Sequence, residues 1–162
     1  MSLHTLSTTL DAILVMLLLV ACVTDWRARI IPHWLNISIA LLAPVTWWVR
    51  SHYPGGFPLW PDVSIQIAQA LIVFLIFAGF QLIGQMGGGD VKLLGALALW
   101  FNWKVMFTLL FFMALAGGVL TVVLLIVHRR RKREGNPEIP YGIAIASGAL
   151  IVVCEPYLNH FR

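Results

Sequence analysis

Apolar residues gather in six blocks, at about 5–24, 35–49, 65–84, 91–103, 105–127 and 141–157, with most polar residues confined to the gaps between them. The longer blocks approach the roughly 20 residues that a helix needs to cross a hydrocarbon core of about 30 Å. Barrel strands would be shorter and would alternate with a period of two, so the blocks predict an all-α, polytopic membrane protein with six transmembrane helices. Between the second and third blocks, Pro54-Gly55-Gly56-Phe57-Pro58 and Pro61 forbid regular structure and predict an exposed loop. Between the fifth and sixth lies the basic run His128-Arg129-Arg130-Arg131-Lys132-Arg133-Glu134, closed by Gly135-Asn136-Pro137. With no internal repeat or low-complexity tract, residues 1–162 read as a single membrane-embedded domain.

Composition agrees: 60% of the 162 residues are hydrophobic, 11% are charged and the mean hydropathy is +0.88, which excludes an ordinary soluble domain. Orientation follows from the basic residues, because short cytoplasmic loops carry the excess. Arg27, Arg29, Lys92 and the five of 129–133 fall on one side, and Arg50, Lys104 and Arg162 on the other. Both termini are therefore expected outside. Trp47, Trp48, Trp60, Trp100 and Trp103 are expected as an outer interfacial belt, with Trp26 and Trp34 at the inner face. The net charge of +4 sits at membrane edges, so anionic membrane lipids are the expected partner and nucleic acid is not. Cys22 and Cys154 lie in apolar blocks without a partner at metal-ligand spacing, and no zinc site is expected. The first block lacks a basic stretch before it and a small-residue cleavage site after it, so no cleavable signal peptide is expected.

Each acidic residue near a span needs an explanation, because hydrocarbon excludes uncompensated charge. Of the seven, Glu134 and Glu138 belong to the basic loop, Asp62 reads as a cap before the third span, and Glu155 sits at the outer end of the sixth. Asp11 reads as a structural first-turn residue near the outer face. Asp25 and Asp90 differ. The 13 residues from Val91 to Trp103 cover only about 20 Å, which leaves Asp90 short of the cytoplasmic surface. The 14-residue step from Asp11 to Asp25 covers about 21 Å and gives a similar depth. Two carboxylates at one depth and on one side form a candidate catalytic pair. Gly87-Gly88-Gly89 precedes Asp90, and such a run predicts irregular, side-chain-free backbone lining a wet cavity. The bland reading is a glycine-rich turn with Asp90 as a helix cap.

These residues resemble a family. Gly87-Gly88-Gly89-Asp90 fits the G-x-G-D motif of intramembrane aspartyl peptidases, and Asp90-Val91-Lys92-Leu93 continues it as type IV prepilin peptidases do. The stretch from Asp25 through Ile31-Pro32 to Asn36 is similar to that family's first aspartate segment, and Pro140-Tyr141-Gly142-Ile143-Ala144 to its last-span motif. The chain departs in having His33 where the family usually has Asn. It also lacks the cysteine-rich loop of larger, pilin-methylating members, and so looks like the short form associated with tight-adherence (Flp-type) pili.

The resemblance implies an aspartic-type endopeptidase of the bacterial inner membrane with Asp25 and Asp90 as catalytic pair, Gly87, Gly88, Gly89 and Lys92 as active-site loop, and no metal or organic cofactor. It implies a prepilin as substrate, cut at the cytoplasmic face before its apolar helix, and pilus secretion machinery as a further partner. Two close carboxylates share one proton, so one activates water and the other protonates the scissile carbonyl. Position on the helices assigns the roles: Asp90 at a helix N-terminus as the base, Asp25 at a C-terminus as the protonated acid. Lys92 would favour the same assignment if it reached Asp90, and otherwise is a snorkelling anchor. His33 reads as an interfacial anchor, and Gly142, Ala146, Ala149 and Gly117-Gly118 as small residues for helix packing. The rival is a small proton-coupled transporter using the same aspartates, which the lack of an inverted repeat disfavours. A presenilin-like peptidase is disfavoured by Thr24 before Asp25, and a non-catalytic assembly subunit docking through 128–134 is the remaining alternative.

Overall fold

A computed structural model describes residues 3–52, 59–130 and 141–159. They form six helices: α1 (Leu3–Ala28), α2 (His33–Ser51), α3 (Leu59–Leu82), α4 (Gly88–Ala98), α5 (Trp103–Arg130) and α6 (Tyr141–Asn159). Each apolar block contains one helix or most of one, and no strand occurs among the described residues. Three stretches, Leu3–Ala28, Val63–Leu82 and Trp103–Val127, are long and apolar enough to cross a membrane. The proline-rich stretch at 53–58 and the basic loop residues 131–134, with Glu138 and Pro140, lie outside the described residues.

The short helix α4 is the centre. It packs on α2, α3 and α6, while α1 closes the group against α2 and α6, and α5 lies outside on α6. Apart from Lys92, α4 carries no basic residue and is apolar almost all round, which is the pattern of a helix surrounded by others. Seven of its residues are buried. Leu93, Leu94 and Leu97 are fully enclosed with Leu14 and Leu18 of α1, Leu35 and Ile39 of α2, and Ile145 of α6.

The expected fourth span, 91–103, is corrected. With 11 residues α4 is about 16 Å long, and it ends at Ala98 among buried residues rather than running on to Trp103. A helix end leaves carbonyls without partners, and side chains from two neighbours satisfy them here. Gln66 Nε2 donates to the carbonyls of Ala98 (2.7 Å) and Phe101 (2.6 Å), and Gln69 Nε2 to that of Phe101 (2.7 Å). The Trp47 indole N–H donates to Leu99 O (2.9 Å). Both glutamines are buried. Replacing both Gln66 and Gln69 with Leu should destabilise the protein by about 1–3 kcal/mol for each carbonyl left without a donor, read as a lowered thermal midpoint in detergent; an unchanged midpoint would refute this account of the helix end.

Two of the tryptophans expected in an outer belt, Trp47 and Trp100, are also corrected: both are buried. Trp100 donates from Nε1 to Ile39 O at 2.8 Å, close to Pro44, whose missing N–H interrupts the hydrogen-bond ladder of α2. Trp26, Trp34, Trp48 and Trp103 are exposed, and the side chain of Trp60 lies outside the described residues.

Asp11 is not in a first turn: it is the ninth residue of α1 and faces Arg50 of α2, with Oδ1 3.7 Å from Nη2. Arg50 also donates to Trp100 O (3.3 Å), and Asp11, Arg50, Trp100 and Asn102 line one cavity. Asp11 and the residues following α4 therefore share a level, from which α1 and α4 run toward Asp25 and Asp90. Asp62 lies within the first turn of α3 rather than before it.

Candidate active site

Asp25 sits in the last turn of α1, three residues before its end. The helix closes on Arg29, whose φ of 53° is left-handed and whose N–H donates to Asp25 O at 2.9 Å. This is the single-bond left-handed helix end, made without the usual glycine at a cost of about 1–2 kcal/mol. It turns the chain so that Ile30 and Ile31 pass beneath the carboxylate toward α2. The sequence offers no signal for this turn, since Arg29 carries no turn-forming side chain.

Asp90 is the third residue of α4, with Gly87 as the residue that caps it. The triple glycine is therefore only partly irregular: the turn that closes α3 has Gly84 left-handed at φ 74°, and Gly88 and Gly89 are already helical. Gln85 N–H bonds Phe80 O (3.0 Å) and Gly84 N–H bonds Gln81 O (2.9 Å), a Schellman ending for α3. The absence of side chains matters most at Gly89. A Cβ there would stand 3.1 Å from Ile31 Cβ and 3.3 Å from Ile31 O, so glycine lets the start of α4 lie on the segment leaving Asp25.

The two carboxylates, far apart in sequence, line one cavity of about 210 Å³ together with Arg29, Ile31, His33 and the glycines 87–89. Both are buried, Asp25 at 4% and Asp90 at 8% exposure. No groups of three or more His, Cys, Asp or Glu are placed to hold a metal among the described residues.

The first turn of α6 completes the site. Ile143 N–H donates to Asp25 Oδ2 at 3.0 Å, so Asp25 receives a free N–H from a helix N-terminus just as Asp90 occupies one. Helix ends therefore do not distinguish the two carboxylates: Asp25 ends its own helix but faces the start of another. Gly142 is more than a packing residue. A Cβ there would fall 2.7 Å from Asp25 Oδ2 and 2.8 Å from Ile31 Cδ1, so the carboxylate occupies the space of the missing side chain.

Lys92 lies outside the carboxylate cavity. It is exposed, and its Nζ is 3.5 Å from His33 Nδ1 on α2. Asn36, a buried side chain to which the sequence reading gave no role, donates from Nδ2 to Gly89 O at 3.1 Å and so ties α2 to the residue before Asp90. A buried amide in an otherwise apolar stretch of α2 is the signal that identifies it.

The family model for the type IV leader peptidase family matches residues 12–122, a stretch that contains Asp25, Asp90 and the glycines between α3 and α4. No curated protein and no solved structure matches the chain. α6 lies beyond the matched stretch, yet supplies the N–H that holds Asp25. With more than half of its length matched and both buried carboxylates inside the match, the chain belongs to the type IV leader peptidase family.

Proposed function

We propose that the chain is an aspartic-type prepilin peptidase of the bacterial inner membrane, cutting the basic leader from small pilins of the Flp type at the cytoplasmic face. The observation that carries this reading is the meeting of two buried carboxylates in one cavity, in a chain of the leader peptidase family. The family match also favours hydrolysis over proton transport by the same aspartates. On this reading all six helices lie in or across the membrane with both termini outside, the basic residues 128–134 face the cytoplasm, and lipid and pilus secretion machinery are the partners.

The two carboxylates share one proton, because two negative charges in one small cavity repel. Asp25, already accepting the Ile143 N–H, is the ionised member and takes a proton from water. The oxygen of that water attacks the scissile carbonyl while Asp90 donates its proton to the carbonyl oxygen. Collapse of the tetrahedral intermediate releases the amine, which takes up the proton held by Asp25, while one hydroxyl of the intermediate returns its proton to Asp90 as the new carboxylic acid forms. A protonated-carboxyl infrared band near neutral pH should accordingly vanish in Asp90→Asn; survival of that band would place the proton on Asp25.

Co-expression with a small pilin tests the function itself. Processing should appear as a mobility shift that depends on the chain, with the new N-terminus located just before the pilin's apolar segment. A pilin left intact by well-expressed enzyme, across several Flp-type candidates, would sink the proposal.

A further inference from the structure

Beside the carboxylate cavity lies a larger one, of about 540 Å³, between α2, α3 and α4. Its walls repeat at helical spacing: His33, Asn36 and Ala40 on α2, and Lys92 and Gly95 on α4 with Leu99 just beyond its end. Along each wall the first and last residues are seven positions apart, about 10 Å or two turns of helix. Ala70 and Phe74 of α3 form its floor. The volume falls in the range of about 300–1,000 Å³ typical of built binding sites, and Ala40 and Ala70 leave room for another backbone to approach, while Phe74 packs against Gly95, 3.1 Å from where a Cβ would lie.

The groove is continuous with the site. His33 lines both cavities, and Asn36 on the groove wall holds the carbonyl of Gly89, next to Asp90. Its polar groups, His33, Lys92 and Asn36, cluster at the end nearest the carboxylates, and the rest is apolar. Asn36 carries the second observation. The residue is 4% exposed, and with Nδ2 committed to Gly89, Oδ1 is buried with no hydrogen-bond partner. A buried acceptor left so is costly, and it calls for a donor.

We propose that this groove seats the first two turns of the substrate's apolar helix beyond the scissile bond, and that Asn36 is a positioning residue that couples the seated helix to the Gly89–Asp90 backbone. The inference rests on the peptidase reading. A substrate cut where a polar leader meets an apolar helix presents that same change of polarity to a groove polar at one end and apolar below. A helix start has up to four N–H groups without partners, which in an apolar surrounding need acceptors, and Asn36 Oδ1 is one. An acyl chain could fill the apolar part but has no donor for Oδ1.

The test uses the full chain in phospholipid nanodiscs and two synthetic peptides. One has a short basic leader followed by an apolar helix of about 20 residues, and the other ends two residues beyond the leader. Ala40→Phe fills the groove, and Leu41→Phe, on a neighbouring exposed position, is the control. Ala40→Phe should raise KM for the long peptide at least tenfold and leave the short peptide unchanged, with Leu41→Phe silent. Asn36→Leu should lower kcat/KM about tenfold more for the long peptide than for the short. Binding of the fluorescent long peptide to Asp25→Asn protein should weaken at least tenfold when Ala40→Phe is added, and this readout is independent of cleavage. Unchanged binding, or equal loss for both peptides, overturns the groove assignment while leaving the peptidase reading intact. Weakened binding in a protein that cleaves neither peptide keeps the groove and removes the peptidase. A response of the short peptide to lipid chain length that disappears in Ala40→Phe would identify an acyl chain as the occupant and overturn the proposal.

Discussion

Asp25→Asn and Asp90→Asn are each expected to reduce pilin cleavage by about a thousandfold or more, with the protein still inserted and folded. General acid and general base catalysis contribute about 10²–10⁴-fold each, and an amide can neither take the proton from water nor supply one to the scissile carbonyl. Both side chains are nearly isosteric with the originals, so Asn at position 25 can still accept the Ile143 N–H through its oxygen. The effect should therefore fall on kcat, with substrate binding retained. Asp11→Asn provides the contrast. Asp11 meets Arg50 about four turns of α1 away from Asp25, so its loss should leave most of the activity. Processing of pilin by Asp25→Asn at a near wild-type rate would end the two-aspartate mechanism, whatever the geometry of the cavity.

Gly142→Ala should cost at least a hundredfold in cleavage, a large effect for one methyl group on a residue with no chemistry of its own. The added Cβ would fall 2.7 Å from Asp25 Oδ2, 2.8 Å from its Cγ and 2.8 Å from Ile31 Cδ1. Either the carboxylate rotates out of the cavity it shares with Asp90, or α6 withdraws and takes the Ile143 N–H with it. A displacement of about 1 Å in a catalytic group is enough for a loss of this order. Gly118→Ala, where a Cβ meets nothing within 4 Å, controls for the general effect of replacing a helical glycine and should be silent or mildly stabilising. Activity within a factor of three of wild type in Gly142→Ala would show that Asp25 is not held where this geometry places it.

The helical class, the number of helices and the drawing together of Asp25 and Asp90 in one cavity were legible in the sequence, for one physical reason: hydrocarbon penalises exposed backbone and unpaired charge so strongly that block length and rare acids carry the information. What the sequence could not convey was how neighbours complete each helix end. The apolar block after Asp90 runs to Trp103, yet α4 stops at Ala98, because Gln66, Gln69 and Trp47 arrive from other helices to meet its carbonyls. Nothing near Trp47 or Trp100 announces that their indoles serve distant carbonyls rather than the membrane surface. The environment of Asp25 shows the same limit. Judged along its own helix it faces a C-terminus, but packing places it against the first turn of α6, 118 positions away, so helix ends no longer distinguish it from Asp90. Periodicity and composition determine which segments leave water and which residues are too costly to be there by accident. Which helix end meets which carboxylate depends on contacts between segments distant in the chain, and those only the tertiary structure decides.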